Sequence, residues 1–221
     1  MYKFQTGNDN NQKGAKSLAE NLFSAIQKDI LTGKLKPQEK LTEQRICDEY
    51  GVSRTPVREA FHQLEKDGLI ENIPNRGAFV IGFTEQDIAD MYELRSTYEV
   101  QAVRWAAERI TEEELERLEE TFEFMKFYTM KNDFEKMRSI NTAFHELIYE
   151  AAHNRMLEQT LSSYLLYIRH LRKTPADTKE YLDSVLGEHE AIFEAIKSGD
   201  AEAGAAAMAA HMKSSKARFE R

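Results

Sequence analysis

The stretch from Ser53 to Val80, SRTPVREAFHQLEKDGLIENIPNRGAFV, leaves this chain few folds to choose from. Ser53 opens a predicted helix, where its hydroxyl can accept from the first orphan amides, and Asp67-Gly68 stops it. Leu69 to Ile73 and Ala78 to Ile81 read as two short strands joined by Pro74-Asn75-Arg76-Gly77, whose glycine can supply a positive φ. Arg54 and Arg58 stand four apart on one face near the helix start. Such a face is what enters a DNA major groove, and the planar fork of Arg can bond both O6 and N7 of guanine. Thr55 and the backbone amides of the first turn suit a phosphate. A helix, a strand, a Pro/Gly turn and a second strand in this order imply a winged helix-turn-helix.

The residues upstream supply the rest of that unit. Leu18, Leu22, Phe23, Ile26 and Ile30 recur at three and four residues, predicting a first helix to about Thr32, where Gly33 ends it. Leu35 to Leu41 reads as an extended link around Pro37. Thr42 caps a second helix through Tyr50, and Gly51 makes the turn into the third.

Beyond Gly82 the pattern changes to long helices with no proline until Pro175, so the boundary is expected near residue 82. Thr84-Glu85-Gln86-Asp87 resembles a capping box and opens a helix to about Arg109. Thr111 and three glutamates start the next, Asp133 begins one reaching His153, and Asn154 caps one ending near Lys173. Residues 178–198 form another, and Asp200 caps the last, whose AEAGAAAMAAH segment is helix former rather than linker. The expected class is mainly α, with a winged helix-turn-helix over 16–82, an antiparallel all-helical bundle over 83–221 and a disordered tail over 1–15.

The net charge of −8 opposes nucleic-acid binding when spread over the chain, but residues 1–80 carry +1 and residues 81–221 carry −9. The acidity belongs to the second domain, and a near-neutral first domain can bind DNA if its arginines share a face. No apolar run approaches the about 20 residues of a bilayer span. The first residues lack the apolar core of a secretion signal. A single cysteine, Cys47, excludes an intramolecular disulfide and fits a reducing compartment, so a cytoplasmic protein with a buried thiol is expected.

The second domain holds a constellation of histidines. Asn141 and His145 are one turn apart and can point at the same spot. His189 precedes Ile192, Phe193 and Ile196 at helical spacing, and His211 follows Ala207 and Met208, so both face inward. Three imidazoles from three helices can converge in a bundle. His153 and His170 fit no ligand pattern, and His62 follows the recognition face.

On these residues the chain resembles a known family. The run from LTEQRICDEYGVSRTPVREAFHQLEKDGLI to NRGAFV resembles the DNA-binding domain of GntR transcription regulators, and the remainder is similar to their FadR-type FCD effector domain, together covering roughly residues 16 to 220. The resemblance implies a homodimer on double-stranded operator DNA, Arg54 and Arg58 reading base edges with Ser53, Thr55 and Gln44 in support, and Arg76 and Gly77 of the wing at the minor groove or backbone. It also implies a divalent metal, Zn with Ni or Mn as alternatives, held by His145, His189 and His211, with Asn141 where the family pattern has Asp. The other reading of these histidines is a metal-free cavity with hydrogen-bonded rings. Arg95 resembles the arginine that faces the effector cavity and can clamp the carboxylate of a small organic acid; its alternative is a surface pair with Glu99. Tyr98 and Arg169 are further effector-pocket candidates.

Two other functions compete. A metal-dependent hydrolase would share the three histidines but needs a general base, and Glu146 and Glu188, adjoining the ligands in sequence, should point to other faces. A DNA-binding protein whose helical domain only dimerises would lack a polar cavity. The expectation is a regulator, not an enzyme.

Overall fold

The computed structural model describes residues 17–74, 76–171 and 178–219. The tail expected over 1–15, Asn75 of the wing turn, and the helix end expected at Lys173 lie outside the described residues, as does the side chain of His170. Two compact units divide between Asp87 and Ile88.

The first unit contains α1 (Leu18–Leu31), β1 (Lys40–Leu41), α2 (Glu43–Tyr50), α3 (Arg54–Lys66), β2 (Ile70–Ile73) and β3 (Gly77–Val80). Ser17 and Glu20 close a reciprocal cap on α1, with Ser17 N–H to Glu20 Oε2 at 2.6 Å and Glu20 N–H to Ser17 Oγ at 3.1 Å. Thr42 caps α2 through Arg45 N–H, and Gly51 takes φ +68° to end it, closing on Cys47 O at 2.9 Å. The apolar faces of α1, α2 and α3 bury Leu22, Ile26, Ile46, Val57 and Leu64, and Leu69 and Val80 are buried in the same unit. Inside this core Tyr50 donates to Asp29 at 2.7 Å, which gives the buried carboxylate a partner.

Three local expectations differ. The extended link contains a strand: β1 pairs antiparallel with β3 through Lys40 to Phe79 and Leu41 to Ala78, so the sheet has the order β1-β3-β2. Two residues are too short to show an alternating pattern. Ser53 occupies the N-cap of α3 with extended backbone, but its side chain makes no cap bond. Cys47 is half-buried rather than buried.

The second unit is helical. Thr84 and Asp87 exchange bonds of 2.8 and 3.1 Å to start α4 (Glu85–Arg109). It is followed by α5 (Glu112–Met130), α6 (Phe134–Ala151), α7 (Arg155–Leu171), α8 (Lys179–Lys197) and α9 (Ala201–Phe219). Thr111, Asp133, Asn154, Thr178 and Asp200 each accept from an amide of the first turn of the helix they precede. Helices α5 and α6, α6 and α7, and α8 and α9 pack as neighbours, as short links require, and α5 also packs on α8. Phe122 stacks on Phe193 with ring centroids 4.9 Å apart. The alanine-rich face of α9 lies close to α4: a Cβ on Gly204 would sit 2.7 Å from Val103 Cγ1. Among the described residues no helix is long and apolar enough to cross a membrane.

Candidate metal centre and nucleic-acid interface

Arg54 and Arg58 both lie exposed on the first turns of α3. Each is held by the start of α2: Arg58 Nε donates to Glu43 Oε1 at 2.8 Å, and Arg54 Nη2 donates to Gln44 Oε1 at 3.2 Å. With 65 % of the Arg58 side chain exposed, its pair with Glu43 is worth little to stability. It instead narrows the directions the guanidinium samples. Gln44 is also bonded to Asp48, and Thr55 and Ser53 are exposed beside the arginines. In the wing, Gly77 has φ +98°, and a Cβ there would come within 3.2 Å of Lys40 Cε. Arg76 stands with its guanidinium carbon 5.6 Å from the Phe79 ring centre. Glu43 and Lys40 were not singled out from the sequence; both act through neighbours that only folding brings close.

In the helical unit α6, α8 and α9 bring His145, His189 and His211 together, with candidate ligand atoms all within 4.8 Å of one another. All three are buried. Their ring centres are 5.4 Å (His145 to His189), 5.2 Å (His145 to His211) and 4.6 Å (His189 to His211) apart. The Nδ1 atoms all face acceptors: Glu99 Oε2 at 3.1 Å for His145, Val185 O at 2.7 Å for His189, and Glu188 Oε2 at 2.8 Å for His211. A carbonyl or carboxylate can only accept, so each Nδ1 donates and each neutral ring keeps its lone pair on Nε2. Among the described residues the buried Nε2 atoms of His145 and His189 have no hydrogen-bond partner. Buried polar atoms are seldom left so, and two lone pairs converging on a third imidazole fit a divalent cation.

The acids behind the cluster are equally ordered. Glu99, fully buried, receives Arg95 Nη2 at 2.6 Å, Arg95 Nε at 2.8 Å and Tyr149 OH at 2.5 Å on the oxygen not facing His145. Burial alone would raise its carboxyl; His145, Arg95 and the hydrogen bonds outweigh this and hold it well below the usual range. Burial drives the Tyr149 hydroxyl up, and Glu99 beside it adds to the effect. Glu188 is also opposed by burial, yet the bonds from Arg218 and His211 bring it to about 2. His211 is pushed down to about 4, by burial first, with the Glu188 hydrogen bond opposing. His189 falls in the same direction through burial and its two ring neighbours. His189 and His211 are therefore neutral near pH 7, as ligands must be.

A cleft of about 80 Å³ opens beside the rings, bordered by Asn141, His145 and His211 and by Arg95, Arg138, Arg169 and Arg218. Arg95 thus reaches the cleft and pairs with Glu99 at once, but as a buried pair rather than the surface pair of the alternative reading. Tyr98 does not border the cleft: although one helical turn from Arg95, it lies at the surface, stacked on Tyr164 with ring centroids 6.3 Å apart, a placement decided by how the helices pack rather than by spacing. Glu188 does not point to an unrelated face: the imidazole of His211 presents its second nitrogen there. His153 is a helix-end residue at φ +50°, bonded to Glu114. Tyr149 and Arg218 escaped the sequence reading, and Glu99 entered it only as a partner of Arg95, since their roles at the cluster depend on partners on other helices.

Arginines held outside at the start of a helix suit a polyanion, and with the three-stranded sheet they make the first unit a winged-helix DNA-binding domain. The model of bacterial regulatory proteins of the gntR family matches residues 18–80 and that of the FCD domain residues 90–214. The chain therefore belongs to the GntR family, in the branch carrying an FCD domain, and is a DNA-binding transcription regulator. It is 32 % identical over 191 residues to the HTH-type transcriptional regulator YdhC of Bacillus subtilis, covering 86 % of this chain and 85 % of that one. To the galactonate operon transcriptional repressor of Escherichia coli it is 28 % identical over 222 residues, covering 91 % and 96 %. The solved structure of E. coli McbR/YncC superposes with a TM-score of 0.70 over 93 % of this chain and 98 % of that one; at 22 % identity it speaks for the fold alone.

Proposed function

We propose that this protein is a cytoplasmic homodimer that represses transcription from a pseudo-palindromic operator and is released or retained by a small carboxylate bound in residues 83–221. Two-fold symmetry presents two recognition helices to two half-sites. In each, Arg54 and Arg58 read base edges, Ser53, Thr55 and Gln44 support them, and Arg76 and Gly77 meet the minor groove or backbone. His145, His189 and His211 would hold a divalent ion, Zn before Ni or Mn, with the Asn141 amide oxygen beside them. Such an ion supplies positive charge and a coordination position to a carboxylate oxygen. Arg169 and Arg95 border the same space and favour an anion there.

The observation that carries this reading is the pair of partnerless buried Nε2 atoms, of His145 and His189, that meet His211 beside a cleft bordered by Arg95, Arg138, Arg169 and Arg218. It speaks against a helical domain that only dimerises. The hydrolase reading needs a carboxylate facing the metal; Glu99 and Glu188 both occupy the Nδ1 side of the rings instead. The galactonate repressor makes sugar acids the first ligands to try. Metal analysis of the purified protein and operator titration by fluorescence anisotropy, with sugar acids and before and after chelation, test the proposal. Metal at one ion per chain and an acid-dependent affinity are expected; a metal-free protein whose affinity no acid alters would refute it.

A further inference from the structure

We infer that Glu99 and Glu188 are positioning residues: each fixes which nitrogen of a histidine faces the cluster and uses a cleft arginine as its counter-cation. The inference rests on the metal reading above. The arrangement occurs twice, on different helices. Glu99 of α4 accepts His145 Nδ1 on one oxygen and Arg95 on the other. Glu188 of α8 accepts His211 Nδ1 at 2.8 Å and grips Arg218 with both oxygens at 2.6 and 2.8 Å. Both arginines and both histidines border the cleft, while the two carboxylates lie behind them.

Packing alone does not explain a wholly buried carboxylate. Apolar residues of similar volume often serve a core as well or better than a buried ion pair, because the charges must be desolvated. What a carboxylate adds is a strong, fixed acceptor. A neutral imidazole carries a single N–H, and anchoring it at Nδ1 leaves the Nε2 lone pair directed at the other two rings. Val185 O does this for His189 without charge. For His145 and His211 the acceptor is an anion, and an anion in this setting requires a cation. Arg95 and Arg218 fill that need, which accounts for arginines at the cleft wall that are already bonded to protein carboxylates.

Long-range ¹H–¹⁵N correlation spectra of the metal-free protein show which nitrogen each ring protonates. His145 and His211 are expected to be Nδ1-protonated in the wild type. Glu99→Gln should move His145 alone into a mixture of tautomers, and Glu188→Gln should move His211 alone. In Zn²⁺ competition against a chromophoric chelator, each substitution should weaken binding roughly 10- to 100-fold. Tyr149→Phe removes a Glu99 partner but keeps the Glu99 to His145 bond, and should retain wild-type affinity. An Nε2-protonated His145 or His211 in the wild type overturns the inference. So do Gln variants with unchanged tautomers or unchanged Zn²⁺ affinity, or a Tyr149→Phe loss as large as that of Glu99→Gln. Should Glu99→Gln not fold, Glu188→Gln and the wild-type spectra still decide. The spectra need no metal, so a wild type that binds no Zn²⁺ refutes the metal reading and leaves the role of the carboxylates to be settled on the tautomers.

Discussion

The two units use arginine in opposite ways. In the winged helix, Arg54 and Arg58 are exposed and lightly held by neighbours on α2, so their charge remains available to a partner in solvent. In the helical unit, Arg95 is buried against a carboxylate with no exposure at all, and that carboxylate is shared with His145 and Tyr149. The first arrangement costs the fold almost nothing and can be rewritten without unfolding it. The second is part of the fold, because a buried charge stripped of its partner has neither water nor counter-ion. Recognition of a polyanion needs exposed charge, whereas selecting one small ligand needs polar groups fixed in a water-poor cleft.

The largest effect should come from breaking the buried side of this contrast. Arg95→Ala is expected to destabilise the helical unit by about 3–5 kcal/mol. Urea unfolding followed by Trp105, the only tryptophan, reads that unit. Arg54→Ala should change stability by no more than about 0.5 kcal/mol, and equal costs for the two substitutions would erase the contrast.

Acid should separate the units next. His211 has a folded value of about 4 against an ordinary 6.5, so the unfolded chain takes up its proton first as pH falls. Stability from this group is complete above pH 6.5 and lost progressively down to about 4, a loss of about 3 kcal/mol. His189 shifts in the same direction. The Trp105-monitored midpoint of the metal-free protein should therefore fall through this window; a flat profile would mean the rings are not buried neutral.

On the exposed side, Arg58→Ala should weaken specific operator binding by roughly one to two orders of magnitude, as loss of a bidentate base contact does. Its circular dichroism melt should match the wild type, and undiminished operator affinity in anisotropy would disprove the assigned role. Thr42→Ala removes the cap of α2 and should cost ~1 kcal/mol in thermal unfolding of the first unit. Smallest of all, Tyr98→Ala should leave effector response unaltered in the same anisotropy titration, because Tyr98 stands outside the cleft.

The winged helix was largely legible in the chain because its signals are local. Ser17 with Glu20, Thr42 with Arg45, and Gly51 act within four residues of themselves, and the four-residue spacing of Arg54 and Arg58 alone puts them on one face. The strand β1 was not legible, since two residues become a strand only when β3 lies beside them.

For the cluster, helical spacing already turned His145, His189 and His211 inward, and Asn141 toward the same side as His145. Periodicity says which side of a helix a residue occupies but not what stands opposite. Glu99 meets His145 across 46 positions and Glu188 meets His211 across 23, so no local pattern encodes either pair. The amino-acid order thus determined the elements, their caps and the inward histidines. Only packing decided that carboxylates should stand behind two of those rings, that Arg95 should be buried, and that Tyr98 should face away, because side-chain partners on different helices exist only once the helices have docked.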